Sequence, residues 1–412
     1  GMKVYGEALE DNRPSLGDDM AMRAHADYPM AAYWAHSPER PSRPTYIGDI
    51  KGAASVANIY GQNIAAAESL TSSGFPWAQS PAQLKPLIDA EFAHGINRPV
   101  IHSSVHQPVD DYLPGLSMMT IGQFFNRHIT WADMARPWMD YIARSSYLLQ
   151  QGRNVADVLY FYGEEAPLTA LFASGRMADV PKRFAYDFAN RDVVMNQLQV
   201  DNGELVAKSG NRYRALYLGG TSERMTLPVL RRIVALIKDG ATVIGEIPAS
   251  SPALGDDAKE FAALAKRLSA DGPLTQLGKG RFIKGNNPDA ALASIGVNPD
   301  FACIDADKNC NLLFVHRTTD NGDIYFLTNR SRSAIKFTGR FRVAGTDRAI
   351  GLFDLAKRAN GELAVARDNE MHEPVFPNGC AICEVEGDPD TGRVEMTRYA
   401  AVDDVGRCIN PL

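Results

Sequence analysis

Strand-like and helix-like segments alternate from the first residues of this chain, and only about four strands fit before residue 152. Runs at Val4–Leu9, Pro29–Trp34, Asn63–Leu70 and Arg98–Ser103 read as strands. Ile50–Tyr60, Gln83–His94 and Trp131–Gln151 read as helices. The second of these follows Ser80-Pro81, a capping residue and a proline suited to the first helical turn, and stops at Gly95. Such alternation predicts parallel strands joined by right-handed crossovers. A closed eight-stranded barrel takes ~250 residues. Residues 1–152 are therefore expected to form a partial (β/α) barrel, its second half.

The alternation restarts over residues 153–295. Val155–Phe161 is an apolar strand that turns away at Gly163-Glu164-Glu165. Tyr213–Leu218 ends in Gly219-Gly220-Thr221-Ser222, an amphipathic helix spans Leu227–Lys238, and Ala241–Gly245 is the next strand. This predicts a doubly wound α/β domain. The Gly219-Gly220 pair could cradle an anion, but tight turning is the better reading of a lone pair. Residues 296–412 turn β-rich. Asp320-Asn321-Gly322-Asp323 between two strand-like runs signals a hairpin, and a β-sandwich-like domain is expected. The tail after Gly387 is polar, carries few core signals and is odd as a native domain end.

A chain of 412 residues exceeds what one core fills, so two or three domains are expected. A net charge of −6 without a long basic stretch argues against a nucleic-acid partner. No apolar run approaches ~18 residues, so no membrane span is expected. Gly1-Met2 reads as an expression scar before a start Met, with no signal peptide. A cytoplasmic protein and a chain truncated at its N-terminus both stay open. The five cysteines lie late, from Cys303 to Cys408, and do not form a disulfide framework. Cys380 and Cys383 have metal-ligand spacing, but in a strand they point to opposite faces.

Ile64–Thr71 is a short apolar run ending in one carboxylate, Glu68, followed by the Gly/Pro/aromatic loop Ser73–Trp77. A barrel strand presents a catalytic acid in this way, on a buried apolar stem at the C-terminal rim. A carboxylate that merely caps the loop is the alternative. Glu7 ends an earlier strand and would face the same mouth, where paired carboxylates can cleave a glycoside. An orienting hydrogen-bond acceptor is the other reading of Glu7. Trp34 and Trp77 follow strands and would stack on a sugar at the rim. Trp131 could stack there or pack inside, and Trp138 is expected in the core. His102 closes a strand and suits a sugar hydroxyl, with His106 in support. Asp18-Asp19 could contribute to a Ca²⁺ site, although two carboxylates supply few of its six to eight oxygens, and a solvated loop or helix cap is the better reading.

Tyr5-Gly6-Glu7-Ala8, the Ser15–Met20 loop, Ala66–Thr71, Gly95–Arg98, His102 with His106-Gln107-Pro108, and the stretch from Pro114-Gly115 to Thr130-Trp131 together resemble the α-L-rhamnosidases of glycoside hydrolase family 106. The resemblance is best over residues 3–165. It implies a (β/α)₈ barrel that hydrolyses terminal α-L-rhamnose with inversion, with a calcium ion near the site. It implies that Glu68 is the general base and Glu7 a second active-site acid. The family's Asp-Ser-x-Glu motif, linked to the general acid, does not occur in this sequence. A carbohydrate-binding remnant without the general acid is accordingly the alternative to an active glycosidase. The α/β domain is similar to amidotransferase-like domains beside glycosidase barrels. It has no cysteine for that reaction, so a scaffold is expected. The open edges of a half barrel are expected to be covered, by the α/β domain or by a second copy in a homodimer.

Overall fold

The computed structural model describes residues 2–8, 10, 17–35, 42–72, 79–108, 110–111, 113, 115–119, 121–304, 311–331, 338–342, 349–351, 354, 357–358, 378–387 and 394–404. They fall into two compact units, Gly1–Leu355 and Ala356–Leu412.

The first unit opens with β1 (Tyr5–Glu7), α1 (Asp19–Arg23), β2 (Tyr28–Tyr33), α2 (Pro44–Tyr60), β3 (Ala66–Ser69), α3 (Pro81–Ala93), β4 (Arg98–Ile101) and α4 (Arg136–Leu149). The four strands make one sheet in the order β1-β2-β3-β4, every pair parallel. The expected β–α alternation is present, with shifted bounds. α2 begins six residues early, at Pro44, where a proline fits the first turn. The expected helix over 131–151 is broken: a 3-10 turn at Ala132–Met134 precedes α4, which restarts around Pro137.

α2 is rich in alanine and glycine because it is covered on several sides. β2 packs on it, and so do α5 (Leu168–Ala173) and β7 (Tyr186–Ala189) from the following region. Gly48 permits this approach, since a Cβ there would lie 2.4 Å from the Phe172 ring. A buried pair, Arg23 and Asp49, pins α2 to β2. Asp49 also accepts the Ala32 amide at 2.8 Å, and Arg23 Nε donates to the Met30 carbonyl at 2.9 Å. Burial pushes the Asp49 carboxyl up to about 6 against the pull of Arg23.

The chain then forms β5 (Arg153–Asn154), β6 (Val158–Phe161), α5, β7, β8 (Leu198–Asp201), β9 (Glu204–Ala207), β10 (Arg212–Tyr213), β11 (Ala215–Leu218), α6 (Leu227–Asp239), β12 (Thr242–Gly245), α7 (Ala258–Arg267), β13 (Leu274–Leu277), β14 (Gly280–Lys284) and α8 (Pro288–Ser294). The main sheet runs β13-β14-β12-β11-β6-β7, parallel except for β13. Its order reverses between β6 and β11, the crevice where doubly wound domains bind ligands. There the loops that follow β6 and β11 are hydrogen-bonded to each other. Thr221 bonds the Tyr162 carbonyl through both its amide (3.0 Å) and its hydroxyl (3.1 Å). A Cβ on Gly219 would sit 2.3 Å from the Tyr160 phenol, and Gly220 has φ +59°. The glycine pair serves close packing and a turn, as tight turning required.

Asp187 on β7 joins this sheet to α2. Fully buried, it accepts from Asn58 (2.9 Å) and Tyr213 (3.0 Å) and lies 3.7 Å from Lys51 Nζ. The α/β region therefore packs on the helical layer around α2, and among the described residues no strand of it pairs with β1 or β4.

Next come β15 (Phe301–Ile304), β16 (Leu312–Thr319), β17 (Gly322–Asn329), β18 (Thr338–Arg342) and β19 (Ala349–Gly351). They form two three-stranded sheets, β15-β18-β19 and β17-β16-β5. The hairpin expected at Asn321-Gly322 is present, with Thr319 opposite Gly322. The second unit contributes one antiparallel pair, β20 (Asn378–Gly387) and β21 (Val394–Asp404). Cys380 and Cys383 lie in β20, opposite Val402 and Tyr399 of β21.

Candidate functional site

Register places the carboxylates. Glu7 lies level with Met30 and Ala66, and Glu68 level with Ala32 and Val100. Side chains two apart along a strand share a face. Glu7 and Glu68 therefore project from the same face, near the C-terminal ends of β1 and β3. The opposite face carries Ala31, Tyr33 and Ala67, which pack with Ile50, Ala53 and Leu84 of α2 and α3. Glu68 thus stands on the face turned away from the helices. Strand spacing of ~4.8 Å and a rise of ~3.3 Å per residue put its Cα about 12 Å from that of Glu7. Carboxylates on such stems can converge to the ~6.5–9.5 Å of an inverting pair.

Glu68 is half-buried and Glu7 exposed. Thr71 Oγ1 donates to Glu68 Oε1 at 2.5 Å, and no basic side chain pairs with Glu68 among the described residues. Leu70, between them, is buried at φ +67°, a conformation that costs a non-glycine residue free energy. That bend turns the chain so that Thr71 reaches back to Glu68.

The rim beyond the strands is stitched by hydrogen bonds. The Ala35 amide donates to Thr71 O (2.6 Å), and the His102 amide to Ser69 O (3.0 Å). Gln123, buried, gives its backbone amide to His102 O (3.1 Å). Its side-chain nitrogen lies 3.1 Å from Leu70 O and 2.7 Å from Gln79 Oε1. Sequence reasoning missed Thr71 and Gln123. The signal available for Gln123 was a polar side chain wedged into Ile121-Gly122-Gln123-Phe124-Phe125.

The other expected site residues spread out. His102 sits at the rim, partly buried, its Nδ1 without a hydrogen-bond partner among the described residues. His106 is exposed on the loop that follows. Trp34 is partly buried, its ring stacked on Tyr46 at 6.4 Å and 17°, and its indole N–H lacks a partner among the described residues. Trp131 meets Phe125 edge-on at 5.3 Å. Both rings pack against the α2–α3 core. Their directions are set by aromatic neighbours remote in sequence. Trp77 lies outside the described residues. Trp138 is a core residue, as expected from its helix.

Asp18 and Asp19 do other work than calcium binding. Asp18 caps α1 by accepting the Ala21 amide (2.9 Å) and the Tyr162 hydroxyl (3.2 Å). Asp19, fully buried, accepts the Leu168 and Thr169 amides at 3.1 and 3.2 Å. With oxygens so engaged, the pair does not fit a calcium ion, which takes six to eight oxygens. Among the described residues no group of three or more His, Cys, Asp or Glu could hold a metal. No helix among them is long and apolar enough to cross a membrane.

The α-L-rhamnosidase model of glycoside hydrolase family 106 matches residues 1–357. The chain belongs to that family. A rhamnosidase structure from Novosphingobium sp. PP1Y is 44% identical, with a TM-score of 0.80 over 98% of this chain and 41% of that one. A protein of Formosa agariphila named "Putative beta-glucuronidase" is 36% identical over 335 residues, 79% of this chain and 26% of that protein. This family member thus spans well under half the length of either relative. Gan42B, a GH42 β-galactosidase, is similar in fold alone, at 11% identity and a TM-score of 0.52 over 85% of this chain and 61% of that one.

A second model, of a molybdopterin cofactor-binding domain, matches residues 327–412, overlapping the first and containing the unusual tail. The described residues there are strand segments and short helical pieces at 354 and 357–358.

Proposed function

We propose that this chain carries the base side of an inverting glycosidase site that acts on a terminal α-L-rhamnoside. Glu68 takes a proton from water, and the water attacks the anomeric carbon from the face opposite the leaving group. Thr71 orients the carboxylate. Glu7, on the same face two strands away, is the second acid, and His102 binds a sugar hydroxyl with His106 in support. Trp34, Trp77 and Trp131 are the aromatic side chains assigned to the sugar's C–H faces. The observation that carries the reading is a half-buried carboxylate without a basic partner among the described residues. It stands at the C-terminal end of a parallel strand, on the face opposite the helices.

Hydrolysis of an aryl α-L-rhamnoside by the purified chain, with the first-formed anomer followed by proton NMR, tests it. The β-anomer should appear first, and Glu68→Gln should lower kcat by roughly 10²–10⁴-fold. An unchanged rate in that variant removes Glu68 from the mechanism.

A second reading is favoured by the four-stranded sheet and the missing Asp-Ser-x-Glu motif. On it, the chain binds the sugar without turnover. Robust hydrolysis by the chain alone would end that reading.

A further inference from the structure

Glu91 lies on α3, against the helix-covered side of the strand that carries Glu68, and has no part in the steps above. Its residue is fully buried. Its Oε2 lies 2.6 Å from Ser69 Oγ, while its Oε1 is buried without a hydrogen-bond partner among the described residues. Tyr33 from β2 lies close enough to feel the Glu91 charge, Arg330 after β17 acts on the same phenol, and His94 follows just past α3. Among the described residues none of these forms an ion pair or hydrogen bond with Glu91. His94 is itself held down, to about 3, by desolvation and the charges of Lys51 and Arg330.

The hydrogen-bond count decides the charge. Ser69 Oγ has one proton and two neighbours that accept, Glu91 Oε2 and the Ala67 carbonyl at 3.0 Å. An ionised Glu91 would compete with Ala67 for that proton. It would also leave a charged oxygen buried with no donor, which is far costlier than an unpartnered neutral carbonyl. A protonated Glu91 resolves both conflicts. Its O–H donates to Ser69 Oγ, and Ser69 donates to Ala67 O. Ser69 follows Glu68 directly, and its own carbonyl receives the His102 amide.

We propose that Glu91 is kept as a neutral carboxylic acid and is a positioning residue, fixing through Ser69 the strand end that presents Glu68. The proposal rests on the reading of Glu68 given above. Burial also pushes the Glu91 carboxyl well above its usual 4.5, in the same direction. The folded state then holds a proton that the unfolded state releases above about 4.5. Stability conferred by Glu91 is complete below that pH and is lost as pH rises toward the folded value.

Three measurements on the full chain decide it. The infrared difference spectrum between wild type and Glu91→Gln at pH 7 should contain a protonated-carboxyl band; its absence overturns the neutral acid. The stability-versus-pH curve of Glu91→Gln should decline less than that of wild type above about pH 4.5, keeping the part due to Asp49; parallel curves would contradict it. Amide resonances of Glu68 and Thr71 should hold in Glu91→Gln, whose NH₂ can replace the acid proton, and shift in Glu91→Ala and in the milder Ser69→Ala. Unmoved resonances in Ser69→Ala overturn the positioning role. None of these readouts needs turnover, so failure of the glycosidase reading would show separately, as an aryl rhamnoside left uncleaved.

Discussion

At the residue scale, the Thr71 hydroxyl holds the Glu68 carboxylate. Thr71→Val keeps the shape of the side chain and removes the hydrogen bond to the carboxylate. A bond to a charged group contributes about 1.5–3 kcal/mol, so kcat/KM should fall roughly ten- to a hundred-fold with little change in stability. Steady-state kinetics beside a thermal melt check this; an unchanged kcat/KM would show that Thr71 does not orient the base. Glu68 was legible because a parallel strand buries its stem and releases its last side chains at the rim. The tryptophans were legible only as positions. Whether Trp34 faces a sugar or Tyr46, and Trp131 a sugar or Phe125, depends on partners that no local pattern reveals. A helix cap was the better reading of Asp18-Asp19: Asp18 caps α1, and Asp19 accepts backbone amides of α5, a partner no local pattern reveals.

At the scale of elements, β2 and α2 are joined by a buried ion pair, and the pair sets a stability rule. Asp49→Asn leaves Arg23 as an uncompensated buried charge, with an expected cost of about 3–5 kcal/mol. Replacing both partners, as Arg23→Met with Asp49→Leu, should recover most of that loss. Urea unfolding of the three variants measures it, and a double variant worse than the single would contradict it. The pH dependence has a definite sign. With its carboxyl raised from 3.8 to about 6, Asp49 holds a proton in the folded state that the unfolded chain gives up. Its contribution should decline between about pH 4 and 6 and level above, and Asp49→Asn should remove that slope. The sequence foretold the β–α order but not this clasp. Its partners are 26 residues apart, and neither strand nor helix periodicity links them. Helix bounds failed where proline decided them, at Pro44 and Pro137.

At the scale of the molecule, a four-stranded parallel sheet leaves β1 and β4 without strand partners among the described residues, and Val4, Tyr5 and Val100 are exposed. Parallel sheets are normally covered on both faces, and bare edges invite pairing. The α/β region packs on α2 instead, so we expect a second copy to cover the open edge. Sedimentation velocity at micromolar concentration should find a dimer, and a monomer throughout would contradict this. The family was legible in an ordered set of short motifs, none specific alone. The match of residues 327–412 to a molybdopterin-binding domain was not, because only an odd tail composition marked it. The most direct test of the central claim is azide rescue of Glu68→Ala on an aryl α-L-rhamnoside. Turnover should be lost in the variant and restored by azide, with β-L-rhamnosyl azide as the product. Undiminished turnover without azide, or an α-azide product, would contradict Glu68 as the base.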